Sequence, residues 1–268
     1  MWTIAATVAR KELRESLRDG RSLFAATAGT LAGPLVAGVV IAGRTAQAAS
    51  ANTAAVPPGL GALAVFLLVS VFIMGMSFAN DSTAGERERG SLQPLLLTRA
   101  SRLGLVVGKW LAVVLLNAVG FALTLACVLV LLGVMDLAAP TLGRDALGGL
   151  ALRLAIVCVP LAFFAGALQL FVATHARTFK EGQTSLSMVL FWPMIAGMLL
   201  EFTRTSPAWW RRWPPVFAQH HLLSSMLRGE SVSALALAAS AAITLALAAA
   251  LVVRTSVLLT RERIIFGR

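Results

Sequence analysis

Residues 110–134 read WLAVVLLNAVGFALTLACVLVLLGV, a run without a single Asp, Glu, Lys or Arg. The hydrocarbon core of a bilayer takes about 20 mostly apolar residues of helix, and this run is long enough to cross it. Working outward, five more runs have the same character: 22–43, 59–79, 150–174, 184–200 and 234–253. Arg153 stands near one end of its run, where a long side chain reaches the headgroups. Across the chain 58% of residues are hydrophobic and 13% charged, with a mean hydropathy of +0.82, too little charge to clothe a water-soluble core. The expected fold is an all-α integral membrane protein of six transmembrane helices, one domain over 1–268, with no internal repeat and no soluble domain.

Charge gives the orientation. The chain has 23 Lys and Arg against 12 Asp and Glu, a formal net charge of +11. In a soluble protein that surplus would point to nucleic acid, but Tyr is absent, the basic residues do not interleave with aromatic segments, and no nucleic-acid partner is expected. With both termini in the cytoplasm, most of the basic residues fall on inner segments: Arg10, Lys11, Arg14, Arg18 and Arg21, then Arg87, Arg89, Arg99, Arg102 and Lys109, then Arg177 and Lys180, then Arg254, Arg261, Arg263 and Arg268. The segment after the fifth run dissents, with Arg204, Arg211, Arg212 and Arg228. Ala46-Gln47-Ala48 has the form of a signal-peptidase site, but the run before it exceeds a signal core and residues 1–21 precede that run, so it reads as an uncleaved first span. Within 1–21, Trp2, Ala5, Ala9, Leu13 and Leu17 recur at helical spacing, with Arg10, Lys11, Arg14, Glu15 and Arg18 on the other face. That pattern predicts an amphipathic helix lying along the inner membrane surface.

Signatures of enzymes are missing: there is no H-E-x-x-H, no G-x-S-x-G and no kinase set. Gly104 to Lys109 reads G-x-x-x-G-K and runs into Trp110, one residue short of a phosphate loop and without its hydroxyl, so ATP binding through that motif is not expected. Cys127 and Cys158 lie in apolar runs and read as small buried hydrophobes. His220-His221 has no carboxylate at ligand spacing, so no metal site is expected. No acid lies within the six runs, which leaves a self-contained ion pump little to work with. Ser70, Asn117, Thr124 and Gln169 are among the polar residues that do. Asn117 and Gln169 are the costliest to bury unpaired; with Ser70 they are candidates for a substrate pathway, or else for hydrogen bonds between helices. Pro34, Pro160 and Pro193 should bend spans one, four and five.

The most informative polar stretch is 80–109, beginning NDSTAGERERGSLQPLLLTRASR. Thr83 with Glu86 resembles a capping box, and Glu86, Arg87, Glu88 and Arg89 alternate in sign. Ser91 is placed to cap a short helix with Pro94 in its first turn and Leu92, Leu95 and Leu96 on one face. A short amphipathic helix with paired charges between two spans suits docking of a soluble partner; a solvated loop that sets topology fits the same residues.

The run Ala84-Gly-Glu-Arg-Glu-Arg-Gly-Ser-Leu92, then Leu95 to Thr98, Ser101-Arg102 and Gly108-Lys109, resembles the permease subunits of type 2 ABC exporters, among them the NatB-like and NosY-like permeases. Ala9 to Leu13 with Arg18 is similar to that family's N-terminal interfacial helix, and Pro215 to Leu222 with Leu227 to Glu230 to its outer stretch before the last span. The resemblance implies half of a translocation pathway, dimerising with a second copy or a sister permease in a bacterial cytoplasmic membrane. It implies that this chain carries no cofactor, ATP and Mg being bound by two copies of a separate ATPase subunit that docks on 80–109. Glu86, Arg87, Glu88, Arg89, Leu92, Leu95 and Leu96 would then form the coupling helix. It also implies that 201–233 re-enters the outer leaflet, with Trp209, Trp210 and Trp213 at headgroup level among Arg211 and Arg212, and an outer gate of Phe217, Gln219, His220 and Leu222. Two features depart from the NatB-like pattern: only Arg44 to Pro58 separates the first two spans, where many such permeases carry a large external domain, and the spans hold no acids suited to sodium. Lipid, peptide, drug or another amphipathic substrate stays open. Two readings from other classes are an intramembrane protease or lipid-modifying enzyme using His220, His221 and Glu230, and a scaffold that transports nothing.

Overall fold

A computed structural model of the chain describes residues 2–50, 60–92, 94, 100–134, 147–202 and 213–259. Every regular element among them is helical: α1 Trp2–Arg18, α2 Gly20–Ser50, α3 Leu60–Ile73, α4 Met76–Asn80, a π-helical turn Asp81–Gly85, α5 Glu86–Glu88, α6 Arg102–Val134, α7 Leu147–His175, α8 Phe179–Phe202, α9 Phe217–Leu227 and α10 Ala234–Leu258. Helices close their own backbone hydrogen bonds, which apolar surroundings without water demand. Six stretches are long and apolar enough to cross a membrane: Gly20–Gly43, Gly61–Glu88, Arg102–Val134, Leu147–His175, Phe179–Leu200 and Ala234–Leu258. Five of them contain the expected run and the second, Gly61–Glu88, covers all but the first two residues of 59–79; most extend beyond the run at one end, because flanking polar residues continue the helix.

The second span is the most enclosed of the six. Its Leu63, Leu67, Leu68 and Phe72 are buried in one cluster with Leu154, Leu161 and Leu223. The first, fifth and sixth spans turn large apolar side chains outward, among them Phe24 and Val39, Met188 and Ile195, and Leu235 and Val253.

Three local expectations are corrected. The helix of the second span does not stop near Ala79; the chain stays helical through Glu88, so the first third of the expected loop continues that helix. Thr83 forms no capping box: its hydroxyl donates to the Ala79 carbonyl at 2.6 Å, inside a continuing helix. The helix ends instead at Gly90, whose φ of +72° suits glycine. Ser91 N–H donates to Glu86 O (2.9 Å) and Gly90 N–H to Arg87 O (3.0 Å), the Schellman pairing that closes a helix C-terminus. The α1 face is also rotated: the buried residues are Ala5, Ala9 and Glu12, while Trp2 and Leu17 are 71% and 64% exposed. Leu95 and Leu96 lie outside the described residues, as does most of the short helix expected after Ser91.

Candidate functional site

Each charge of the Glu86–Arg89 run reaches a different part of the bundle. Arg87 donates through Nη2 to the Thr174 carbonyl at 2.8 Å and through Nη1 to the Ala176 carbonyl, closing the C-terminal end of α7. Glu88 Oε2 accepts from Phe179 N at 2.6 Å, satisfying a free amide at the start of α8. A cation at a helix C-terminus and an anion at an N-terminus are the placements that the helix dipole favours. Arg89 returns to Asp81 at 2.8 Å, both side chains being exposed, and this pairing keeps its guanidinium engaged at home. Asn80 adds a second tie to α8, donating to Phe179 O at 2.9 Å. One turn of chain at the end of the second span thus holds the ends of the fourth and fifth. Arg102, at the start of α6, donates to the Leu259 carbonyl at 3.0 Å and closes the end of the sixth.

Glu86 turns inward and is buried. Lys109 Nζ stands 2.8 Å from Glu86 Oε2, 2.9 Å from Glu12 Oε1 and 2.7 Å from the Ser82 carbonyl. An ammonium has three N–H donors, and all three have an acceptor within reach. All three side chains of this triad are buried, with Lys11 4.0 Å from Glu86 at the rim. Burial raises the Glu12 carboxyl above its ordinary range, opposed by the Lys109 charge and hydrogen bond. The triad binds α1, the second span and the third. The same G-x-x-x-G-K stretch that fails as a phosphate loop explains how α1 comes so close. A Cβ on Gly108 would lie 2.7 Å from the Ala5 carbonyl oxygen and 2.7 Å from Val8 Cβ, and one on Gly104 would lie 3.4 Å from Ile4. The two glycines form a notch for α1, and the lysine that follows them reaches Glu12.

Asn117, Gln169 and Ser70 lie inside this one chain, each no more than 1% exposed. The second span breaks between α3 and α4 at Met74-Gly75, which frees backbone groups that lipid could not satisfy. Asn117 Oδ1 accepts from Gly75 N at 2.8 Å, its Nδ2 donates to Gln169 Oε1 at 3.0 Å, and Gln169 Nε2 donates to the Phe72 carbonyl at 2.5 Å. The third and fourth spans thereby staple the break in the second. Ser70 only returns to the Leu67 carbonyl of its own helix at 2.7 Å.

At the opposite end, α9 packs against α3, α7 and α8. Gln219 and His220 are buried and Leu222 nearly so; Phe217 meets Trp192 edge-on at 6.4 Å. Gln219 Oε1 reaches back to Val216 N at 2.6 Å, while its Nε2 donates to Ser240 at 3.0 Å and Thr244 at 2.7 Å on α10. Val216 has a φ of +77°, costly for a β-branched residue, and Gln219 ties that corner down. Glu230 is engaged by Arg228 at 2.6 Å, and this hydrogen bond, with a smaller contribution from His221, holds its carboxyl below the usual range.

Residues 6–264 match the family described as ABC-2 family transporter protein. The chain belongs to the ABC-2 transporter family. It is similar to the ABC transporter permease protein NatB of Bacillus subtilis (strain 168), 32% identical over 134 residues, a stretch covering 49% of this chain and 35% of that relative. The chain therefore spans about a third of the relative's length. Family membership with six apolar helices makes it a multi-pass membrane protein. In this ABC-2 protein the connections through Glu12 and Lys109 were not read from the sequence as a site, although the signal was present: Glu12 falls beside Ala5, within about 60° of Ala9, on the helical wheel of α1, and a carboxylate in a buried stripe needs a counter-charge.

Proposed function

We propose that this chain is the membrane permease subunit of an ABC exporter, forming a translocation pathway with a second permease and driven by a separate ATP-binding subunit at the 80–109 segment. The supporting observation is the fan of contacts from Glu86, Arg87 and Glu88 to the ends of the third, fourth and fifth spans and to α1. A push on this turn is delivered to several helices at once, because each contact is a charge or a capping bond and not a sliding apolar surface. The buried side of Glu86 and Leu92 carries the force inward; Leu95 and Leu96 are the docking residues. The charged end is cytoplasmic, with both termini, in the inner membrane of a bacterium.

Within this reading, Asn117 and Gln169 hold the break of the second span and do not line the pathway. Both are enclosed with their amide groups partnered inside one chain, whereas a pathway shared by two copies runs between them. At the outer end α9, with Phe217, Gln219, His220 and Leu222, forms the gate. Copurification tests the main proposal: an ATPase subunit should accompany the gently solubilised chain and be lost on Glu88→Ala with Leu95→Asp. Isolation of a stable chain that drives transport without any ATPase would refute it. Labelling of Ser224→Cys from the cytoplasmic side alone would refute the orientation and the gate.

A further inference from the structure

Helix α1 divides into three sectors. At about 100° per residue, Ala5, Ala9 and Glu12 form the side buried on α6. Next around the helix come Trp2, Ala6 and Leu17, all exposed, within about 60° of arc. Beyond them Arg10, Arg14 and Arg18 follow one another at steps of four residues, also exposed. None of these three arginines has an ion-pair partner among the described residues, while Lys11 on the next line pairs with Glu15 at 3.5 Å. Like charges at i and i+4 repel along a helix. Arg10, Arg14 and Arg18 are therefore a line of positive charge that the protein itself leaves uncompensated, with an apolar strip alongside it.

The setting of the helix decides what compensates it. Only Asp19 separates α1 from the first span, and Asp19 Oδ1 accepts from Ser22 N at 3.3 Å as the N-cap of α2. With α1 joined so closely to a spanning helix, its exposed flank lies at the bilayer boundary, Trp2 and Leu17 at the headgroup–acyl junction and the arginines level with the headgroups. A guanidinium line matches phosphate oxygens by charge and by fork geometry.

We propose that the outer flank of α1 is a binding site for anionic phospholipid, with Arg10, Arg14 and Arg18 holding the headgroup phosphates and Trp2, Ala6 and Leu17 entering the acyl boundary. The occupant is a lipid and not an acidic soluble segment, because the apolar strip adjoins the arginine line on a helix tied to the membrane surface. Glu12, on the buried side of the same helix, connects this site to Lys109 and Glu86.

The test uses the full chain in liposomes, with Cys127 and Cys158 replaced by alanine and a bimane fluorophore on Ala6→Cys. Phosphatidylcholine vesicles containing phosphatidylglycerol are prepared with bromine on one lipid or the other, at matched mole fractions. Brominated phosphatidylglycerol should quench several-fold more strongly than brominated phosphatidylcholine, and the preference should shrink as salt is raised. Each basic residue near an anionic surface contributes about fivefold in binding, so R10Q/R14Q/R18Q should bring the two lipids close to parity. R10K/R14K/R18K should keep much of the preference, which separates loss of charge from loss of folding. Equal quenching by the two lipids in the unsubstituted protein, or an undiminished preference in the glutamine variant, would overturn the proposal; the first result would favour a soluble acidic partner. The measurement needs no ATPase or transport, so its failure leaves the permease reading standing.

Discussion

Replacing Lys109 with methionine removes the one cation at the centre of the triad while keeping an unbranched apolar stem. Two acceptors lose their donor at once, Glu12 Oε1 and the Ser82 carbonyl, and Glu86 Oε2 loses its counter-charge at 2.8 Å. Glu12 and Glu86 are 3% and 7% exposed, so water does not replace the ammonium. Breaking a buried ion pair by removing one partner costs about 3–5 kcal/mol, and this site loses two pairs that share a single cation. The expected result is a loss of that size in the thermal unfolding of purified chain in detergent, read by size-exclusion retention after heating. The variant should also acquire a pH dependence. Burial already raises the Glu12 carboxyl, and Lys109 opposes the rise; without Lys109 the folded state binds a proton more tightly than the unfolded chain. Stability of K109M should therefore be highest below the ordinary carboxylate value of 4.5 and fall as pH rises through the raised Glu12 value. The unsubstituted protein should show the same sign with a smaller amplitude. Adding Glu12→Leu and Glu86→Leu removes the orphaned charges and should recover most of the loss, since apolar replacement of a whole buried ion cluster is often neutral. K109M that melts with the parent, or shows no gain on acidification, would refute the triad.

Asn117→Leu should cost about 1–3 kcal/mol, because the Gly75 N–H is left unpaired in an apolar setting; Gln169→Leu should cost a similar amount, and the double variant less than the sum, as thermal melts of the three would show. Gly108→Val places side-chain atoms against the Ala5 carbonyl and Val8, so α1 should lift off the bundle and its amides exchange with deuterium faster, while those of α7 are unchanged. On the proposed permease role, Arg87→Lys should not restore what Arg87→Ala loses in ATP-driven transport, because one ammonium cannot bridge the Thr174 and Ala176 carbonyls as a guanidinium does.

The six spans were legible in the sequence because the cost of placing charge in lipid leaves uncharged runs of fixed length, and length is a one-dimensional property. The 80–109 stretch also stood out, since a dense alternation of charge is rare in a chain with so few acids. What its charges touch was not legible. Thr83 was read as a cap from a local pattern, but capping depends on whether the helix starts there, and packing of Thr83 in the second span keeps the helix going. Asn117 and Gln169 were read as either pathway or interhelical bonds; the bonds they make lie across the break at Gly75, and a break is visible only once three spans are in place.

Composition and the length of apolar runs were sufficient by themselves to determine a helical membrane protein with six candidate spans, because transfer from water to lipid is a sum over local residues. The tertiary structure alone decided that Lys109 faces Glu12 across 97 positions of sequence, that Arg87 closes one helix while Glu88 opens another, and that a glycine pair resembling a failed phosphate loop is a notch for α1. Each of these rests on two backbones approaching within a few ångströms, and such an approach is fixed by the packing of whole helices and not by any stretch of chain read alone.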